Sequence, residues 1–219
     1  MTKKYLSFIF LALVMVFSGF IQEDLEKKAK EILKSVTKVY KSHKSIYSEF
    51  QIFSENKAEK SKAVKENGKI WLKGNKYKLE FEDQIIYCNG KTIWTYFKQS
   101  KELTIENYVE NNSEISPTNV FSFFQNGFNA KYDGKYEKAK GSTIDKISLN
   151  PVDKKKPYYF VTMHIENKSK AIKKLEISFK NGVKQTLEIL KESQDVNTSN
   201  TFFDFETGKH SVTSTDDLR

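Results

Sequence analysis

Between Gly68 and Tyr96 the chain alternates large apolar residues with charged ones, and that alternation suits an extended backbone. Tyr77, Leu79 and Phe81 are separated by Lys78 and Glu80, so one side of the strand is apolar and the other wet. Ile85-Ile86-Tyr87-Cys88 and Thr92-Ile93-Trp94-Thr95-Tyr96 flank Asn89-Gly90. That dipeptide favours a two-residue type I′ turn, whose central residues both need positive φ. The turn predicts Cys88 opposite Lys91, Tyr87 opposite Thr92 and Ile85 opposite Trp94. Ile85, Tyr87, Trp94 and Tyr96 would then share one side of the sheet, a wall of large side chains that requires a cover.

The same period recurs along the chain. Ile46, Ser48, Phe50 and Ile52 alternate with Tyr47, Glu49 and Gln51. Leu103 with Ile105, then Ile147 with Leu149 ahead of Pro151, make shorter runs. Tyr159, Val161, Met163 and Ile165 follow, then Leu175, Ile177 and Phe179, then Val183, Gln185, Leu187 and Ile189. Between the last two runs, Asn181-Gly182 marks a second hairpin. A strict two-residue loop would set apolar residues opposite Lys184 and Thr186. A longer or bulged turn is therefore predicted, with Ile177 and Leu187 on one face. Phe203 and Phe205 read as a last short strand, and residues 208–219 as a polar tail.

Two stretches leave the period of two. From Glu23 to His43, residues Leu25, Ala29, Ile32, Leu33, Val36, Val39 and Tyr40 recur at threes and fours, the spacing of an amphipathic helix. Ser116-Pro117 reads as an N-cap with proline at the first helical position. It opens a predicted helix of about three turns carrying Val120, Phe121 and Phe124 on one side, too short to be stable alone. That helix is either a plug of the core or a lid. Residues 55–67 are polar and read as a strand running into a mobile loop. The predicted class is mainly β with helices, an antiparallel sheet large enough to curl.

At 219 residues with 9 Gly and 3 Pro, the chain suffices for one substantial domain. Aromatic residues at 14% argue against disorder. Met1-Thr2-Lys3-Lys4, the apolar run from Leu6 to Phe17, and Ser18-Gly19 read as a secretory signal peptide. The run is shorter than the ~20 residues of a membrane span. Residues 1–20 are thus expected to be a cleaved export signal, with an uncleaved anchor as the alternative, and 21–219 a single domain outside the cytosol. No Cys follows the run, so the protein is not expected to be a lipid-anchored lipoprotein itself.

Catalytic patterns do not emerge. Cys88 is the single cysteine, which excludes an internal disulfide and a zinc cluster; it reads as a core thiol. His43, His164 and His210 lie far apart without metal-type spacing, and His164, in an alternating strand, reads as satisfied or exposed. Gly90-Lys91-Thr92 imitates the tail of a phosphate-binding loop, but that motif needs glycine where Ile85 stands and a helix where a strand follows. Glu82 and Asp83, adjacent in a turn, point opposite ways. The reading is no enzyme, no cofactor and no metal. The net charge of +9 comes from evenly spread lysines behind an export signal, which favours anionic membrane faces or acidic partners over nucleic acid.

The order of these blocks resembles a known family. An export signal and a helix precede Phe50-Gln51 on a strand, then Gly68-Lys69-Ile70-Trp71-Leu72-Lys73 and Lys76-Tyr77-Lys78-Leu79-Glu80-Phe81. Asn89-Gly90-Lys91-Thr92-x-Trp94-x-Tyr96, a short apolar helix, Leu149-x-Pro151 and Phe203-x-Phe205 complete it. Nearly all of the mature chain resembles the periplasmic outer-membrane lipoprotein carriers (LolA) in their Bacteroidetes-like form. The resemblance implies an unclosed, curved antiparallel half-barrel, with an N-terminal helix and a short helical lid over the concave face. It implies a monomer that takes acylated lipoproteins from an inner-membrane lipoprotein-releasing ABC transporter to an outer-membrane acceptor. The acyl-chain wall would comprise Ile46, Phe50, Ile70, Leu72, Tyr77, Leu79, Phe81, Tyr87, Trp94 and Tyr96. Val120, Phe121 and Phe124 would form the lid side, and for every one of these residues plain core is the alternative. Tyr77 matches an aromatic position at which the family's cargo reception is sensitive. The family's Arg-Pro pair, whose arginine holds the lid shut, is replaced here by Gly74-Asn75, so that latch does not carry over. Either Lys73 or Lys76 substitutes for it, or the lid is looser. The alternative function is a related lipid-binding or lipid-sensing half-barrel with other cargo.

Overall fold

A computed structural model describes residues 23–56, 63–110, 115–138 and 141–219. The expected export signal and the tip of the first polar loop, residues 57–62, lie outside them. Helix α1 spans residues 23–42. The strands are β1 Ile46–Asn56, β2 Val64–Lys73, β3 Lys76–Glu80, β4 Gln84–Cys88, β5 Thr92–Phe97 and β6 Glu102–Asn107. They continue as β7 Phe128–Lys138, β8 Ser142–Pro151, β9 Tyr158–Glu166, β10 Ile172–Phe179, β11 Val183–Gln194 and β12 Ser214–Asp217.

All twelve strands form one sheet in the order β12-β6-β5-β4-β3-β2-β1-β11-β10-β9-β8-β7. Two meanders, β1 to β6 and β7 to β11, are joined where β1 pairs with β11. The terminal strands do not pair with each other, so the curved sheet stays open. Every pairing is antiparallel except that of β12, which runs parallel to β6.

Register follows the turns. Cys88 pairs with Ile93, Tyr87 with Trp94 and Ile85 with Tyr96, each partner two residues further along β5 than the Asn-Gly reading predicts. The central turn residues are Gly90 and Lys91, and of these only Gly90 has positive φ, +86°, as a type II′ turn requires. Asn89 works through its side chain: Oδ1 accepts from the backbone N–H of Lys91 and of Thr92, each at 3.0 Å. The second hairpin is longer, as expected. Leu175 pairs with Leu187 and Ile177 with Gln185 around Lys180–Gly182, which leaves Ile177 and Leu187 on one face.

Three local readings are corrected. A register break between Ser178 and Phe179 lets Phe179 pair with Tyr158. Tyr158 is consequently buried at 4% exposure while Tyr159 is 57% exposed, because a bulge reverses the facing of the residues beyond it. Phe203 and Phe205 make no strand; Asn200–Phe203 is a 3-10 turn. The polar tail ends in β12.

Cross-strand pairing sorts the side chains into two faces. Ile46, Leu72, Tyr77 and Cys88 line up on the inner face, as do Ser48, Ile70, Leu79 and Ile86. Against that face packs α1, burying Ala29, Ile32, Leu33, Val36 and Tyr40. Burial of each larger aliphatic residue among them is worth about 1.5–3 kcal/mol. Tyr47, Trp71, Lys78, Tyr87 and Trp94 occupy the outer face, with Ile85 and Tyr96 one row over. A second, smaller core forms there. Residues 196–212 cross the outer face, where Phe202 meets Trp71 at 5.6 Å between centroids and Phe203 is fully buried. Phe205 meets Tyr87 and Tyr96, both at 5.8 Å.

Candidate functional site

A hollow of about 200 Å³ lies between the inner face and a strap formed by residues 115–122. Its floor is built from β1 to β3: Ser48, Phe50 and Ile52 at successive inward positions, then Ile70, Leu79 and Phe81. Ile172, Leu175, Leu187 and Ile189 of β10 and β11 supply the far wall. Apart from Ser48 and Ser116 the lining is apolar. Gly68 pairs with Phe50, and a Cβ at Gly68 would run into the Phe50 ring. Glycine there lets that ring lie over β2, edge-on to Phe81 at 5.8 Å.

The roof carries Ile115, Pro117, Val120 and Phe121. It is not the helix expected. Residues 117–122 are turns, followed by a single 3-10 turn at Phe123–Gln125. Ser116 does not cap a helix; its backbone N–H donates to Asn119 Oδ1 at 2.8 Å. The Phe121 ring stacks on Tyr40 with centroids 3.9 Å apart and planes 8° from parallel. Tyr40 is a fixed platform: its hydroxyl donates to Glu192 Oε2 at 2.8 Å and accepts from the Ile172 N–H at 3.0 Å. Burial, then the Glu192 charge, push the Tyr40 hydroxyl pKa far up, so it stays a neutral donor. The Tyr108 and Thr118 hydroxyls, 3.4 Å apart, add a polar tie. Lys73 is no latch for the strap: its Nζ reaches the Thr198 carbonyl at 3.3 Å, in the outer-face segment.

Of the thirteen positions expected at the site, Phe50, Ile70, Leu79, Phe81, Val120 and Phe121 meet at the hollow. Ile46 and Leu72 share the inner face but line a neighbouring cleft of about 300 Å³. Tyr77 is buried in the main core, where burial and then Cys88 and Tyr108 raise its pKa. Phe124, at 3% exposure, is an anchor rather than a mobile cover: it packs on Phe123, whose ring is 5.6 Å from Phe128. Tyr87, Trp94 and Tyr96 lie on the outer face, away from the hollow. Tyr87 Oη is 3.0 Å from His210 Nε2, and Tyr96 Oη donates to the Ser211 carbonyl. The parity of β4, apolar on both sides, leaves the choice of face open in sequence. The β10 and β11 residues of the wall went unnoticed because only the β1–β11 pairing brings them there. Ile52 and Ser48 could have been found by stepping two residues either way from Phe50.

The neighbouring cleft has a different character. Thr37, Tyr40, Ile46 and Leu72 line its interior, and Lys41, His43 and Lys44 its rim. Asp195 sits behind that rim, its Oδ2 2.9 Å from His43 Nδ1 and its Oδ1 accepting from the Lys44 N–H. These bonds hold its carboxyl below the ordinary aspartate range. Phe121 borders both the apolar hollow and this basic-lipped opening, its ring backed by Tyr40.

An open curved sheet with a helix and a strap over its inner hollow defines a half-barrel of the lipid- or lipoprotein-binding class. The chain belongs to the outer membrane lipoprotein carrier protein LolA family, whose sequence model matches residues 18–141. No curated protein matches it. Among solved structures it is similar to an uncharacterized conserved protein from Thermus thermophilus. That likeness has 13% identity and a TM-score of 0.53 over 85% of this chain and 99% of the other. MucB gives 12% identity and a TM-score of 0.50, over 85% of this chain and 65% of MucB. Both likenesses concern the fold. Among the described residues, no helix is long and apolar enough to cross a membrane.

Proposed function

We propose that this chain is an exported, monomeric carrier that shelters the acyl chains of lipoproteins beneath the strap. It would collect them from an inner-membrane lipoprotein-releasing ABC transporter and deliver them to the outer membrane or an acceptor there, with residues 21–219 acting as one unit. The observation that carries this reading is an apolar hollow roofed by a strap whose Phe121 ring is stacked on Tyr40. Each buried methylene is worth about 0.8 kcal/mol, so acyl chains do not cross water uncovered. A carrier must also release its load. A roof held by side-chain packing opens at little cost and competes with the cargo for the same wall. The acyl chains of a lipoprotein need more room than the closed hollow offers, so loading swings the strap outward. Phe50, Ile70, Leu79 and Phe81 then serve as wall, and Val120 and Phe121 as moving roof. The protein itself catalyses nothing in this scheme.

Delipidated protein mixed with a detergent-solubilised triacylated lipoprotein should yield a soluble equimolar complex on gel filtration after detergent removal. Leu79→Glu, which puts a carboxylate on the wall at a partly buried position, should abolish the complex and leave the circular dichroism spectrum unchanged. A wild-type protein that yields no complex, yet releases free lipids to mass spectrometry when purified from its host, has different cargo.

A further inference from the structure

We infer that Ser48 reads the polar end of the bound chain, its hydroxyl donating to the ester or amide carbonyl at the head of an acyl group. The inference rests on the acyl-binding reading above. Ser48 is fully buried on the floor of the hollow, and its Oγ has no hydrogen-bond partner among the described residues. Its neighbours on the inner face are Glu192 across on β11, whose carboxylate is engaged by the Tyr40 hydroxyl, and three apolar residues, Ile46 and Phe50 along β1 and Ile70 across on β2. A hydroxyl dehydrated among such residues destabilises the fold unless something pairs with it. Alanine or valine would suit the closed state better.

Its position says what the partner is. Ile46, on one side of Ser48 in the strand, lines the basic-lipped cleft, whereas Phe50, on the other, lines the hollow. Ser48 therefore stands at the junction of the two spaces, near the Phe121 ring that borders both. A second unpaired buried hydroxyl, Thr37 Oγ1, lines the cleft side of that ring. When Phe121 swings aside, a chain with its tail in the hollow and its head among Lys41, His43 and Lys44 has its linkage at this junction. A hydrocarbon tail offers these hydroxyls nothing. A carbonyl accepts from them, so the site prefers acyl chains to alkyl chains of equal length.

Two probes with the same sixteen-carbon tail separate these cases: 1-monopalmitoylglycerol, an ester, and 1-O-hexadecylglycerol, an ether without a carbonyl. Calorimetric titration of delipidated protein should show the ester bound about tenfold tighter than the ether, the scale of one satisfied buried hydrogen bond. Ser48→Ala should remove that preference by weakening the ester more than the ether, whose oxygen lacks the carbonyl's reach, and give a ligand-free Tm equal to or above wild type. Equal affinities in the wild type, a preference that survives Ser48→Ala, or a lower Tm in the variant overturns the role of Ser48 while leaving the hollow intact. If neither probe binds the wild type, the acyl-binding reading itself fails and this inference with it.

Discussion

His164 shows how a side chain's surroundings convert acidity into instability. It is 6% exposed on β9, with Nδ1 3.0 Å from the Tyr136 hydroxyl and Nε2 3.2 Å from Glu176 Oε2. Burial lowers its pKa first; Glu176 raises it, while Lys174 and Lys146 lower it, and the net direction is down. The unfolded chain therefore takes up a proton at higher pH than the folded one. Stability from this group is fully present above about pH 6.5, the ordinary histidine value, and is lost as pH falls towards the folded value. Burial also lowers His210, reinforced by Lys78 and Lys209, with the same sign. Urea denaturation at pH 7.5 and 5.5 should show the wild type weaker at the lower pH and His164→Asn with a smaller difference. An unaltered difference in the variant would assign the effect to other groups. The alternating strand in the sequence left a satisfied and an exposed histidine both open; its partners on β7 and β10 were not legible, since they lie 28 and 12 residues away.

The strap is the element on which sequence and structure differ most. Ser116-Pro117 is a sound start for a helix, but Thr118, Asn119, Val120, Phe121 and Ser122 are all middling or poor helix formers. A short helix must also overcome a costly first turn. Asn119 offers a cheaper arrangement: its side chain takes the Ser116 N–H, and its carbonyl accepts from both Ser122 and Phe123 at 2.7 Å. What remains is a turn-rich cover pinned by Phe121 on Tyr40 and rooted by Phe124. Ring stacking is worth about 0.5–1.5 kcal/mol beyond the area it buries. Phe121→Ala should therefore speed amide exchange across residues 115–125, read by mass spectrometry, while β1, β8 and β9 keep their protection. Unchanged exchange in the strap would mean that another contact shuts it. The site's chemical character was legible from Val120 and Phe121, whereas the cover's form depended on a local competition that periodicity does not register.

For the whole molecule, an open sheet must manage two edges. On one side, β7 carries Lys131, Lys135, Glu137 and Lys138 and a register break between Tyr132 and Gly134. On the other, β12 covers β6, adding Asp216 and Asp217 next to Thr104 and Ile105. The Leu218 N–H donates to the Ile105 carbonyl at 2.9 Å. Deleting residues 214–219 uncovers β6 as a pairing edge. The shortened protein should give a larger mass by light scattering than the full chain at equal concentration, with α1 and the hollow retained. A monomeric truncation product would show that edge protection lies elsewhere.

The sequence by itself determined which residues share a face wherever no bulge intervenes; the break beside Tyr159 is the exception. Alternation is local, and even the shifted Gly90-Lys91 turn preserves it, because moving the register by two leaves parity unchanged. It also determined the α1 stripe and the family. Only the tertiary structure decided which face would be the inside. Around β4 both sides are apolar, Ile86 and Cys88 on one and Ile85 and Tyr87 on the other, and nothing within the hairpin distinguishes them. The distinction comes from segments distant in the chain. Helix α1 and the strap cover one side, residues 196–212 return over the other, and the β1–β11 pairing carries Leu187 and Ile189 round to complete the wall. Such contacts form between parts of the chain that no local window contains, so their outcome is set by what the folded surfaces can bury together.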